Sequence, residues 1–158
     1  MQQISDYKTE IEKKGAISII PKGNSMWPFL KNGKQSVIIE KVSEKPCKYD
    51  VIMYSRPTGE MVLHRIIEVL DNSFVVSGDS HLTVEEVELS QVFGVMTGFF
   101  KKNKYLSAKD EKYLKSVEKW YSKKTARKVK IKLFYLGVRI KNAFKRMFKG
   151  KKKGKTNV

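Results

Sequence analysis

Ser25 lies in a segment whose residue types favour a tight connection over a regular strand. Gly23 permits a backbone turn that other residues disfavour, and Pro28 stiffens the exit from the segment. A serine in such a connection becomes a nucleophile only when a nearby base accepts its proton, because a free hydroxyl is almost never ionised. The chemistry therefore depends on which base the fold brings to Ser25.

The chain has two histidines, His64 and His81, and the first lies in a segment with the composition of a strand. If Met61–Val69 is a strand, its alternation places His64 on the same face as Val62 and Ile66. An imidazole on such an apolar face is either a core residue with satisfied hydrogen bonds or a base held partly out of water. The pattern leaves both interpretations open.

A carboxylate that could orient the imidazole follows in a predicted turn. Asp79 comes directly after Gly78, and a carboxylate at this position can hold an imidazole and stabilise its charged form. The same two residues also fit ordinary turn chemistry. The sequence does not decide between these roles.

The first hundred residues predict a compact antiparallel or barrel-like β domain, since short segments rich in Val, Ile, Phe and Tyr alternate with turn residues. Ile4–Lys14 has apolar residues at a 3–4 spacing, which predicts a short helix ended by Gly15. Two of the predicted strands flank Pro57-Thr58-Gly59 and form a predicted hairpin. The predicted strands are Ala16–Ile20, Ser36–Val42, Val51–Ser55, Met61–Val69, Ser73–Ser77 and Gln91–Phe100.

The net charge of +17 is concentrated in the last third of the chain. Residues 1–100 have a net charge of −2, whereas residues 101–158 have one of +19. This change places a predicted boundary at Lys101–Asn103. Charge bears on partners and solubility more than on fold, so the two parts are interpreted separately.

The basic part is predicted to be helical. Ser107, with Asp110 three residues later, has the pattern of a helix N-cap, and Val129–Phe148 has apolar residues at helical spacing. The predicted organisation is a β domain over residues 1–100, a basic helical extension over 101–149 and an unfolded basic tail over 150–158.

Three roles are open for the basic extension. Its apolar stripe and its many Lys and Arg residues suit the surface of an anionic membrane. The stripe can instead pack on the β domain and leave the lysines solvated. Nucleic acid is the least favoured partner, because the chain has no helix-turn-helix, zinc or RNA-binding motif.

Composition excludes several classes of protein. A single cysteine rules out a disulfide framework within the chain and any multi-cysteine zinc or iron–sulfur site. No apolar run reaches the ~18 residues needed to span a bilayer, and Met1–Gly15 has no apolar middle of the kind found in secretory signals. We therefore expect a protein of the cytosol or of the cytoplasmic membrane surface.

Five segments, in order and spacing across roughly residues 17–100, resemble the serine peptidase superfamily that contains type I signal peptidases and the self-cleaving domains of SOS-type repressors. One resembles the box around the nucleophile, in which Ser is followed by Met, any residue and Pro. Another resembles the segment that supplies the general base, and the remaining three resemble a strand opening, a Gly-Asp loop and a closing strand. The nucleophile box is Gly23–Pro28 and the base segment is Leu63–Ile66. The strand opening is Tyr49–Ile52, the Gly-Asp loop is Ser77–Ser80 and the closing strand is Val92–Met96.

The resemblance implies a site and a branch of the superfamily. A histidine in the base segment is similar to the archaeal, endoplasmic-reticulum and spore-former branch, here without the usual N-terminal membrane helix. The implied roles are Ser25 as nucleophile and backbone oxyanion donor, His64 as base and Asp79 as its orienting partner. The box also implies substrate-binding residues, namely Gly23, Met26 and Pro28.

The Gly-Asp loop lacks the Asn-rich continuation of the family, so the carboxylate is open between Asp79, Glu85 and Glu86. The expected function is that of a Ser–His endopeptidase that cleaves a peptide or leader, without metal or cofactor. The alternative is a non-catalytic peptide-binding or scaffold domain with a basic membrane- or nucleic-acid-binding tail.

Overall fold

The computed structural model describes the backbone of residues 2–152 and the side chains of residues 7–147. Within them, eight strands form one antiparallel sheet, and the chain continues into C-terminal helices, which confirms the predicted mainly β fold with a helical extension. No helix in these residues is both long and apolar enough to cross a membrane. The elements are α1 (Gln2–Lys14), β1 (Ala16–Ile19), β2 (Val37–Glu40), β3 (Val51–Ser55), β4 (Met61–Val69), β5 (Ser73–Ser77), β6 (Glu85–Glu88), a 3-10 turn (Leu89–Gln91), β7 (Val92–Lys101), β8 (Lys104–Ser107), α2 (Glu111–Ser122) and α3 (Lys124–Lys152).

The sheet separates two apolar cores. Its strand order is β1-β2-β7-β3-β4-β5-β6, with β8 paired to β7, so β3 lies near the middle. Alternation along β3 directs Val51 and Met53 into one core and Ile52 and Tyr54 into the other. Because both of its faces are covered, β3 is apolar at nearly every position and lacks the alternating pattern of an exposed strand.

The β3–β4 hairpin sets the register of the site. Its turn is closed by hydrogen bonds from Arg56 N–H to the Glu60 carbonyl (2.9 Å) and from Gly59 N–H to the Arg56 carbonyl (2.8 Å). Gly59 has a φ of 81°, a conformation that glycine adopts at little cost. The resulting register pairs Ile52 with His64, so this turn determines which face of β4 receives each side chain.

Two strands were not predicted, and the second lies beyond the expected domain boundary. β6 is acidic, and β8 lies in the basic part of the chain, where a helix was expected. β8 follows a two-residue turn with positive φ at Lys102 (50°) and Asn103 (62°), the geometry that hairpins favour. The predicted boundary at Lys101–Asn103 therefore falls inside a hairpin, and the sheet continues to Ser107.

The helix that follows begins later than predicted. Ser107 belongs to β8, and the cap is Asp110, whose Oδ1 accepts the Tyr113 N–H at 2.9 Å. The chain divides into two units, residues 1–119 and residues 120–158. α3 is longer than predicted and includes residues 150–152; the rest of the predicted unfolded tail, from residue 153, lies outside the described residues.

Candidate active site

Ser25 lies in the turn-rich connection between β1 and β2. Gly23 has a φ of 98°, and its N–H donates to Asn32 Oδ1 at 3.0 Å, which ties the two sides of the connection together. Trp27 N–H donates to the Asn24 carbonyl at 3.0 Å, so Ser25 lies within a tight turn. Ser25 itself is half-buried.

His64 is held on the inward face of β4 and is 4% exposed. Its Nδ1 lies 3.1 Å from Tyr54 Oη and 3.1 Å from Glu85 Oε1. A carboxylate only accepts hydrogen bonds, so Nδ1 must carry the proton of the neutral ring. Nε2 therefore has the free lone pair, and it is the atom able to act as a base.

Glu85 is itself fixed from two sides. Arg56 donates from Nε to Oε2 (2.9 Å) and from Nη2 to Oε1 (2.7 Å), and Tyr54 Oη donates to Oε1 at 2.5 Å. The bidentate contact with Arg56 is the main cause that lowers the pKa of Glu85 to about 2, with the Tyr54 hydrogen bond acting in the same direction. The carboxylate beside His64 is consequently ionised at every pH near neutrality.

A second histidine lies beside the first. The rings of His64 and His81 pack edge to face with their centroids 5.3 Å apart. Burial is the main cause that lowers the pKa of His64 below its ordinary value of 6.5; His81 adds to this effect and Glu85 opposes it. His64 thus stays neutral, and able to accept a proton, at pH values where an exposed histidine is charged.

Ser25, His64 and His81 line one cavity of about 250 Å³. Among the described residues, no hydrogen bond joins Ser25 Oγ to His64, and the Ser25 N–H has no acceptor. Catalytic hydrogen bonds commonly tighten only when substrate is bound. The free N–H leaves a donor available to a ligand in the cavity.

Asp79 does not orient His64; it pairs with Arg65. Arg65 donates from Nε to Asp79 Oδ1 (2.7 Å) and from Nη2 to Oδ2 (2.8 Å), and both side chains are completely buried. The reason is the alternation of β4: His64 and its neighbour Arg65 point to opposite faces of the sheet, and Asp79 lies on the arginine's side. Of the three carboxylates left open by the sequence, Glu85 is the one in contact with the imidazole.

The Arg65–Asp79 pair is linked to the Ser25 turn through the loop that follows β5. Next to Asp79, Ser80 donates its N–H to the Ser25 carbonyl and its hydroxyl to the Asn24 carbonyl, both at 2.8 Å. The loop that Arg65 anchors is therefore bonded to the backbone of the Ser25 turn. Two adjacent residues of β4 hold the two halves of the site, His64 by supplying an imidazole and Arg65 by fixing the loop.

Gly78 leaves no space for a side chain at this junction. A Cβ at this position would lie 2.8 Å from His81 Nδ1 and 2.8 Å from the Ser25 carbonyl oxygen. Since one of these neighbours is backbone, a substitution would displace the Ser25 turn. The glycine is required by close packing, because it does not have a positive φ.

The remaining predicted residues divide. Gly23 and Met26 line the cavity with Ser25, whereas Pro28, which follows a cis peptide bond, is not one of its lining residues. Sequence reasoning missed the contributions of three residues near His64, namely Tyr54, Arg56 and His81. The contact of Tyr54 could have been found from the sequence, since strand alternation in the β3–β4 hairpin places Tyr54 and His64 on the same face of the sheet.

No family model, curated protein or solved structure matches the chain. Within the described residues, no group of three or more His, Cys, Asp or Glu side chains converges as a metal ion would require. The candidate site therefore consists of three groups: a serine, an imidazole with a defined tautomer and an ionised carboxylate.

Proposed function

We propose that the chain is a serine peptidase in which Ser25 is the nucleophile, His64 the general base and Glu85 the carboxylate that orients the base. One observation carries the proposal: the imidazole that shares a cavity with Ser25 is held through Nδ1 by an ionised carboxylate, which leaves Nε2 as the acceptor. A core histidine with only a structural role needs hydrogen bonds but has no need of a serine in the same cavity.

The resemblance to signal peptidase-type serine peptidases supports the same two catalytic residues. It also implies Asp79 as the orienting carboxylate, whereas Asp79 pairs with Arg65 and Glu85 contacts the imidazole. The assignment of Glu85 rests on the hydrogen bonds around His64 alone.

In the first step, Ser25 Oγ attacks the carbonyl carbon of the scissile peptide bond as its proton passes to His64 Nε2. The negative oxygen of the tetrahedral intermediate accepts a hydrogen bond from the Ser25 N–H. Glu85 stabilises the imidazolium that forms. The C–N bond then breaks, His64 returns the proton to the departing amine, and an ester on Ser25 remains.

In the second step, water attacks the ester carbonyl carbon and gives a proton to His64 Nε2. The bond to Ser25 Oγ breaks, His64 returns the proton to that oxygen, and the new carboxylic acid is released. The base is restored to its starting tautomer, since the Nδ1 proton stays bonded towards Glu85 throughout.

The apolar part of the cavity wall suits an uncharged side chain of the peptide next to the cleaved bond, while the charged Lys22, Lys31, Arg56 and Glu60 also line the cavity. Apolar residues from the Ser25 connection and from both strands of the β3–β4 hairpin contribute to its lining. A volume of about 250 Å³ fits one small or medium side chain along with part of the backbone. The apolar lining residues include Ile19, Met26, Leu30, Met53, Met61 and Leu63.

The test is covalent labelling of the full chain with a fluorophosphonate, measured as intact mass. The parent is expected to gain one adduct, and Ser25→Ala and His64→Gln are expected to gain none. Ser90→Ala is the matched control, because Ser90 is an exposed serine on the same unit, hydrogen-bonded to Glu88. It is expected to label like the parent.

Labelling of Ser25→Ala at the parent's rate would overturn the assignment of the nucleophile. Failure of the parent to label, across pH values from acidic to alkaline, would favour a non-catalytic peptide-binding domain. If Glu85→Gln labels as fast as the parent, the carboxylate has no part in activating the base, and only the Ser25–His64 pair survives.

A further inference from the structure

One face of α3 carries an exposed apolar stripe. The stripe residues recur every three or four positions and lie within about one third of the helix circumference. Their exposed fractions run from 49% to 69%, values far above those of core residues. The stripe consists of Val129, Leu133, Leu136, Ile140, Phe144 and Met147.

A second set of apolar residues on the other side of α3 has a different fate. Ile131 is only 4% exposed, and Phe134, Tyr135 and Val138 are half-buried. Burial within α3 is therefore concentrated on this side. The exposed stripe lies on the opposite side of the helix.

Charge along α3 has one sign. The helix has twelve Lys or Arg residues and no Asp or Glu. By the helical period of 100° per residue, Lys132 and Arg139 border the stripe on one side, and Lys130 and Lys141 border it on the other. Long basic side chains in these positions can lie along an apolar surface and extend their charges beyond it.

We propose that α3 binds in the plane of an anionic lipid bilayer, with the stripe in the acyl boundary and the flanking Lys and Arg at the headgroups. The proposal is independent of the peptidase chemistry. Each half of the observation has a counterpart in this partner: the stripe needs an apolar layer, and the cations need anionic phosphates. The partner is then a membrane surface, which the helix contacts without crossing.

Two other partners fit only half of the observation. Nucleic acid would neutralise the cations but offers no apolar layer for Leu136, Ile140 and Phe144. A second copy of the chain could cover the stripe, but two helices with twelve cations each and no acidic residue would repel each other at close range. Only a surface that is both anionic and apolar beneath satisfies both halves.

The experiment is flotation of the full chain with phosphatidylcholine vesicles, with and without phosphatidylglycerol. Parent protein is expected to float only with the anionic vesicles. The double variant Ile140→Gln/Phe144→Gln is expected to bind at least about tenfold more weakly, since it removes apolar burial while glutamine preserves helix propensity. Far-UV circular dichroism checks that helix content is unchanged.

The matched control is Leu82→Gln/Val84→Gln, which makes the same kind of change at two equally exposed residues of the β domain, 50% and 62% exposed. It is expected to bind like the parent. Lys141→Gln is expected to weaken binding by about fivefold, as the loss of one cation near an anionic leaflet should.

Three outcomes would overturn the proposal. The first is equal flotation with neutral and anionic vesicles, which removes the role of the cations. The second is full binding by the Ile140→Gln/Phe144→Gln variant, accompanied by its complete displacement by RNA, which would indicate a nucleic-acid partner. The third is no flotation together with a dimer that this variant dissociates, which would show that the stripe packs against a second copy.

Discussion

Two arginine–carboxylate pairs in the β domain differ chiefly in burial. Arg65 and Asp79 are both completely buried, whereas the side chains of Arg56 and Glu85 are 33% and 31% exposed. Each pair is bidentate, with distances between 2.7 and 2.9 Å. Their geometry is therefore nearly the same, and their environments are not.

The difference in burial suggests different roles for the two ion pairs, one in supporting the structure and one in the chemistry of the site. A fully buried pair has no tolerance for the loss of one partner, because the other charge is then left without water or a counterion. A half-exposed pair costs little to change, but it sets the charge beside His64. We infer that Arg65 and Asp79 keep the site in place, whereas Arg56 and Glu85 determine the state of the base.

The largest effect should come from breaking the buried pair. Arg65→Met is expected to lower the free energy of unfolding by about 3–5 kcal/mol, because it strands the Asp79 carboxylate in the core. Arg56→Met is the control and is expected to cost less than about 1 kcal/mol, since its ion pair is partly solvated. Urea unfolding followed by circular dichroism measures both; equal losses would remove the distinction between the two pairs.

The reverse order should hold for reactivity. Glu85→Gln is expected to slow fluorophosphonate labelling by ~100-fold or more without a large loss of stability, because the amide cannot stabilise the imidazolium. Glu86→Gln removes the neighbouring carboxylate, which bonds Ser73 away from the site, and is expected to leave the rate unchanged. Similar rates for the two variants would contradict the role given to Glu85.

The pH dependence of labelling sharpens the role of His64. Its pKa is lowered, chiefly by burial and then by His81, so the acidic limb of the rate profile is expected below pH 6.5. His81→Asn removes the like charge and should move the limb towards higher pH while leaving it below the ordinary value. A limb above 6.5 in the parent would show that the titrating group is not His64.

The smallest expected effect is the pH dependence of stability that comes from His64. The folded state binds a proton at His64 less readily than the unfolded state. The contribution of neutral His64 to the free energy of unfolding is therefore fully present above pH 6.5, and it is lost as the pH falls from 6.5 towards the lowered pKa. Comparison of urea midpoints at about pH 7.5 and about pH 5.5 measures the loss. His64→Gln should reduce the change in urea midpoint between the two pH values. An unchanged difference would show that other groups cause the pH dependence.

The parts of the fold that were predicted correctly depend on local patterns. The strand bounds of Val51–Ser55, Met61–Val69 and Ser73–Ser77 match because apolar β-branched segments end there at turn residues. β6 was missed because it is an edge strand in which only Val87 is buried. Its glutamates suit an exposed edge, and they conceal the strand from any search for apolar alternation.

The carboxylate partner of His64 could not be derived from the sequence, because it depends on long-range geometry. Asp79 is nearer in sequence to His64 than Glu85 is, but the two carboxylates lie on different sides of β4. One local clue was available. Alternation that turns His64 to one face necessarily turns Arg65 to the other, where a buried guanidinium requires a carboxylate of its own.

The alternation of β4 also bears on how the chain finds its fold. If the β3–β4 hairpin formed one residue out of register, His64 and Arg65 would exchange faces. The guanidinium would then enter the apolar core that contains Ile52 and Phe74, away from Asp79, and a buried charge without a partner is among the costliest defects a protein can have. Misaligned hairpins are thus disfavoured before the sheet is complete, and the residue that supports the candidate site also helps to align the strand that carries it.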